Sequence, residues 1–318
     1  MTRERFKQYA WALLYYNLVV IFWGAYVRAS FSGDGCGAHW PLCSGEATTI
    51  DEKIRKTVEF LHRVTSGLCL IGVILLVIWA FKAFPVGHRV RKAATLSIIF
   101  TFSEALLGAA LVLFKWVAHN KSMFRAVATS AHLANTFTLL AFLTLTAWCA
   151  SGGYLPRFRG QGIAAKLLLG ALVGVTLLGI TGALSALGDM LYPSTSVIAG
   201  MKQDFAPTAS YLLKLRPLHP AVAVLVSLYV GGIASVVGKS RPGKYVVQFK
   251  RYLMWIFTAQ LVVGFVNLMI HAPVYMQLIH LVIADALWIS LVLLTAAALA
   301  SEGIEVETDK VQMGLATA

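Results

Sequence analysis

Residues 59–80 read EFLHRVTSGLCLIGVILLVIWA: a carboxylate, an imidazole and a guanidinium at the mouth of a long apolar run. About 20 such residues in a helix cross a hydrocarbon core of ~30 Å. On that helix Glu59 and His62 stack one turn apart on one face, with Arg63 turned slightly aside. Ionisable groups at a membrane boundary either snorkel to water or serve a site. Comparable runs lie near 10–29, 94–114, 127–148, 164–186, 217–237, 252–271 and 276–300, besides 57–80 itself. The prediction is an all-α polytopic membrane protein whose eight transmembrane helices form two pseudo-symmetric four-helix bundles. Composition agrees, with 58% hydrophobic and 13% charged residues, about half the charged share of a soluble domain.

The basic excess reports orientation in the lipid bilayer rather than nucleic acid. With the N-terminus in the cytoplasm, 16 of the 27 Lys and Arg fall on that side, as the positive-inside rule asks. Both termini are placed inside, and the first helix reads as a retained span rather than a cleaved leader. A prokaryotic plasma membrane is the expected home.

The first outer loop, about 30–56, carries Cys36 and Cys43 in the stretch 32–43, which has three glycines and a proline. In an oxidising compartment the pair can close a small ring, remain as free thiols, or cycle during turnover; the structural bridge is the preferred reading. Cys69 and Cys149 fall inside helices and read as apolar filler. His39 in the loop, His88 in a basic turn, and His119 and His271 at helix ends read as surface residues or secondary contacts.

Four other histidines behave differently. His62, His132, His219 and His280 open the second, fourth, sixth and eighth helices near the same boundary, so they share one depth. Their spacing reveals a repeat. Gly24 to His62 is 38 residues and Gly182 to His219 is 37, while Ser103-Glu104-Ala105-Leu106-Leu107-Gly108 is matched by Ala259-Gln260-Leu261-Val262-Val263-Gly264. Two four-helix halves follow, 1–150 and 164–300, joined by a linker at 151–163 and followed by a tail at 301–318. The expected lid of the first half is the loop 30–56, and the expected cover of the second lies at about 188–216. Zinc would ask for more ligands than each half offers. Two facing imidazoles suit the axial positions of a haem iron, one haem per half. Arg28, Arg63, Arg125 and Arg216 stand ready for propionates. One departure from symmetry places the reaction: Glu59 precedes His62 by three residues, whereas Arg216 precedes His219 by three. A carboxylate beside a haem can relay a proton and an arginine cannot. Glu104, matched by Gln260, reads as a structural hydrogen bond, and Asp285 has no assigned role.

The Glu-x-x-His-Arg run at 59–63, the His132 segment Ser130-Ala131-His132-Leu133-Ala134-Asn135-Thr136, and the His219 and His280 entries together resemble haem A synthase over about residues 10–300. The loop cysteines resemble one class of that family. The resemblance implies oxidation of the C8 methyl of haem o to the formyl of haem a by successive hydroxylation. It assigns Glu59 as catalytic, His62 and His132 to the haem o substrate, and His219 and His280 as axial ligands of a haem b cofactor. Haem o synthase and cytochrome oxidase assembly factors become candidate partners, and a homo-oligomer is compatible. Two other classes fit four histidines: a bis-histidine di-haem electron carrier of the quinol-linked cytochrome b type, and a haem transporter or chaperone. Neither accounts for Glu59 or for a stiffened lid over one site.

Overall fold

The computed structural model describes residues 2–43 and 47–300. The expected tail 301–318, with its acidic stretch from Glu302 to Asp309, lies outside them. The described residues form ten α-helices: α1 (Arg3–Ala29), α2 (Ile50–Ala83), α3 (Arg89–Leu113), α4 (Met123–Ala150), α5 (Gly162–Leu191), α6 (Val197–Asp204), α7 (Tyr211–Leu215), α8 (Leu218–Ser240), α9 (Lys244–Met269) and α10 (Val274–Ala298), with one 3-10 turn at Ser32–Asp34. Eight spans are long and apolar enough to cross a membrane, α7 and α8 running on as one. This is a multi-pass membrane protein.

Helix ends follow local chemistry more closely than apolar runs do. The second helix begins at Ile50, not near 57, because Thr49 and Glu52 form a capping box and Asp51 and Glu52 fill its first turn, which satisfies amides ahead of the membrane. The lid therefore gives up its last seven residues, 50–56, to helix. The first helix starts at Arg3 beneath a Thr2 cap. The cover at 188–216 contains α6 and α7, each opened by a serine whose hydroxyl accepts a backbone N–H.

On α2 the exposed Leu68, Ile71, Leu75 and Ile78 form one stripe, while Cys69, Val73, Leu76 and Ala80 are buried. That is the inside-out amphipathicity of a helix facing protein on one side and lipid on the other. Side-chain donors fasten α1 to α2 without water: Tyr9 donates to Gly72 O at 2.8 Å, Tyr16 to Thr65 O at 3.0 Å and Trp23 to Val58 O at 3.0 Å, as helix pairs in lipid require.

Helices α1 to α4 pack around one centre, α1 against α2 and α4, and α3 against the same two. Helices α5, α8, α9 and α10 close a second ring in the order α5, α8, α9, α10. The rings meet where α4 packs on α5 and α10, and α1 on α10. Their apolar windows make α4 and α10 the spine, each 61% buried against 11–33% for the other spans. Trp288 on α10 donates to Phe137 O on α4 at 2.7 Å, and the two rings stack at 4.9 Å.

Candidate functional site

His62 on α2 and His132 on α4 stand on diagonal helices of the first ring; His219 on α8 and His280 on α10 do so in the second. Every one of the four rings lies beside a glycine on a flanking helix. A Cβ on Gly24 would come within 2.8 Å of His62 Cε1, on Gly182 within 2.9 Å of His219 Cε1, on Gly264 within 3.0 Å of His280 Cε1, and on Gly108 within 4.0 Å of His132 Cε1. Any side chain at Gly24 or Gly182 would push the ring aside, since real Cβ contacts almost never fall below 3.0 Å, and at Gly264 the ring would have to give by a few tenths of an ångström. All four glycines sit in the repeated phrases of the sequence, where they read only as marks of a repeat.

The rings are incompletely satisfied. Nδ1 of His62 and of His280 is buried with no hydrogen-bond partner among the described residues, and Nδ1 of His132 meets Glu104 Oε1 at a long 3.4 Å, a costly condition unless something else occupies the site. His219 Nδ1 lies 3.2 Å from the Thr181 hydroxyl, which itself donates to Leu178 O. Thr181 therefore accepts from Nδ1–H, which leaves Nε2 as the free lone pair. The His219 and His280 ring centroids are 6.3 Å apart and perpendicular. Two imidazoles from diagonal helices are a donor set that would suit haem iron.

The first site is roofed by its loop. Cys36 and Cys43 are disulfide-bonded. Glu59, 3% exposed, accepts the Cys36 backbone N–H on Oε2 at 2.8 Å and pairs through Oε1 with Arg63. Arg63 also donates to the carbonyls of His39, Pro41 and Leu42. The carboxylate thus holds the lid on α2, and neither oxygen bonds to His62. Gly35 permits the contact, because a Cβ there would strike the Arg55 carbonyl carbon at 2.5 Å.

In the second half α6 and α7 are fastened to α5 and to the start of α8. Arg216 Nε donates to Asp204 at 2.8 Å, and its other nitrogens reach Asp189 at 3.0 Å, Gly200 O at 3.2 Å and Tyr192 O at 3.4 Å. Arg125 donates to the carbonyls of Ala118 and Asn120. All four arginines expected at propionates therefore grip protein oxygens, three of them through several contacts. Arg28 differs: it crosses from α1 to Ala183 O on α5 at 3.4 Å and lines a cavity of about 300 Å³ with Asp189, His271 and Gln277.

The remaining expected residues are placed as follows. His119 stacks on Phe31 at 4.5 Å. His88 caps α3 by accepting the Val90 N–H at 3.2 Å, and burial, with Arg89 and Arg3 nearby, lowers its pKa. Cys69 and Cys149 are buried free thiols. Asp285 is 1% exposed, with one oxygen unpartnered among the described residues. Glu104 lies beside His132, its Oε1 3.4 Å from Nδ1.

Over 296 residues, 93% of its length, this chain is 45% identical to a Thermus thermophilus protein named "Protoheme IX farnesyltransferase", covering 49% of that protein. The chain thus spans about half the length of the Thermus relatives it matches. It is 39% identical over 97 residues to the "Heme A synthase" of Halalkalibacterium halodurans, and 40% over 97 to that of Bacillus mycoides, each match covering 30% of this chain and 33% or 31% of the relative. The family model COX15-CtaA, described as "Cytochrome oxidase assembly protein", matches residues 7–292, and the chain belongs to that family.

Proposed function

We propose that this protein is a haem A synthase, oxidising the C8 methyl of haem o to the formyl of haem a. The observation that carries the reading is the set of four imidazoles, two per ring of helices, each seated beside a glycine, with Nδ1 of His62 and His280 buried and unpartnered among the described residues. Family membership and the relatives named as haem A synthases support it. The farnesyl group in the Thermus relative's name is the substituent that separates haem o from haem b, which supports a haem o-forming enzyme as a working partner. Cytochrome oxidase assembly factors and a second copy of the chain are further candidate partners.

In this reading residues 1–150 form the substrate half, 151–163 the linker and 164–300 the cofactor half, with both termini on the cytoplasmic side of a prokaryotic plasma membrane. His62 and His132 seat haem o. His219 and His280 hold haem b, which when bound supplies an electron acceptor. Thr181 fixes the His219 tautomer, as partners of ligating histidines commonly do. Arg28, reaching across to α5 with donors to spare, is suited to a propionate of the second haem, with Gln277 beside it. Glu59 has two duties. Paired with Arg63 and the Cys36 amide, it keeps the lid shut and water out; when the lid loosens, the released carboxylate accepts a proton at the edge of the substrate.

Co-expression with a haem o source, followed by mass spectrometry of extracted haems, tests the assignment. Haem a or its alcohol precursor is expected. Haem b alone would make the protein a di-haem carrier, and unaltered supplied haem would make it a transporter. Glu59→Gln is expected to lower haem a yield about 100-fold and let haem o accumulate; undiminished haem a would remove Glu59 from the reaction.

A further inference from the structure

The two second histidines, His132 and His280, have different neighbours. Around His132 lies a polar network confined to α3 and α4. Glu104 Oε2 accepts from Asn135 Nδ2 at 2.6 Å, and Oε1 accepts from the Thr136 hydroxyl. Asn135 also donates to Phe100 O at 3.0 Å and accepts from Ser103 at 2.6 Å. At the corresponding places of the second ring stand Ala259 and Gln260, and, three and four residues after His280, Ile283 and Ala284. There the network is reduced to one contact, Gln260 Nε2 to His280 Nε2 at 3.1 Å, on the opposite ring nitrogen from the one Glu104 faces, so that in His280 it is Nδ1 that is left for iron. One imidazole faces a carboxylate and the other an amide.

Helix packing alone does not explain the carboxylate. Placing a charged side chain within a membrane span costs about 2.5–3.5 kcal/mol on insertion scales. Hydrogen bonds between spans return only about 0.6–2 kcal/mol each, and a glutamine would accept from Asn135 or Thr136 at lower cost. What a glutamine lacks is negative charge, and Glu104 Oε1 lies 3.4 Å from His132 Nδ1, which has no closer hydrogen bond among the described residues.

We propose that Glu104 is a positioning residue that orients His132 through Nδ1 and strengthens Nε2 as an electron donor, so that the first site binds haem iron through a more electron-rich imidazole than the second. This rests on the reading that His62 and His132 seat a haem. A carboxylate behind a ligating histidine fixes its ring and raises its donor strength. It also favours ferric over ferrous iron and so lowers the reduction potential. The neutral Gln260 leaves the second site at the higher potential.

The test uses the full-length purified protein titrated with iron protoporphyrin IX, read by haem affinity and by optical redox titration. Wild type is expected to show two components, with His132→Ala removing the one of lower potential. Glu104→Gln is expected to raise that component's potential and weaken its haem affinity about 10–100-fold, leaving the other unmoved. Gln260→Glu is expected to lower the other component, and it decides the question if Glu104→Gln does not fold. A merely structural Glu104 would leave the potential unmoved in a folded, haem-loaded Glu104→Gln protein, and that result overturns the proposal alone. Loss of no component in His132→Ala overturns the site reading beneath it, and the proposal with it.

Discussion

The two rings of helices solve one problem with opposite charges. In each, the residue three before the first histidine clamps the roof: Glu59 holds the lid through the Cys36 amide and Arg63, and Arg216 holds α6 and the end of α5 through Asp204 and Asp189. By sequence this pair was the departure from symmetry that located the reaction. In the structure both members perform the same mechanical task, and the sharper chemical contrast lies deeper, at Glu104 and Gln260 beside the second histidines. Matching geometry with unmatched electrostatics would let two such rings do different work.

The clamps are where that comparison breaks most visibly. Arg216→Ala leaves Asp204 and Asp189 without their cation and is expected to destabilise the fold by about 3–5 kcal/mol. Glu59→Gln keeps an oxygen for the Cys36 N–H and leaves Arg63 three carbonyls, so about 1–3 kcal/mol is expected. Thermal unfolding in detergent compares them, and equal losses would mean that the two roofs are held alike in energy as well as geometry. Serine at both Cys36 and Cys43 removes a constraint worth about 2.5 kcal/mol in the chain-entropy treatment. Protease cleavage within 36–43 should quicken while α6 and α7 keep their wild-type resistance.

The glycine seats give a finer contrast. Gly182→Ala and Gly24→Ala, where the added Cβ meets a ring at 2.9 and 2.8 Å, are expected to weaken haem retention about tenfold, or about 1.4 kcal/mol. Gly108→Ala, with the ring 4.0 Å away, is expected to leave retention unchanged and to gain up to about 1 kcal/mol from helix propensity. Haem titration and thermal unfolding read both, and loss of haem from Gly108→Ala would show the His132 seat to be as tight as the others.

Much of this was legible in the chain because lipid imposes it. The eight spans follow from apolar length, and the four histidines from polar groups recurring at one depth. What escaped was whatever depends on main-chain partners. No side-chain pattern announces that Glu59 faces the Cys36 amide, or that Arg63 and Arg125 hold loop carbonyls, since an arginine awaiting an anion looks in sequence like one gripping a turn. The start of α2 was misplaced because apolar runs mark where lipid ends, whereas Thr49 and Glu52 mark where helix begins. Gly24, Gly108, Gly182 and Gly264 were visible in the repeated phrases, yet a glycine's task shows only once the ring beside it is placed.

Helices α4 and α10 carry His132 and His280, and they are joined by the Trp288 indole on the Phe137 carbonyl. Each half's innermost partition is thus its neighbour's as well. Duplicated segments are commonly pictured as copies free to drift apart, but here a substitution at Phe137 or Trp288 is inherited by both chambers at once. Specialisation of one half is bounded by what the common wall lets the other tolerate.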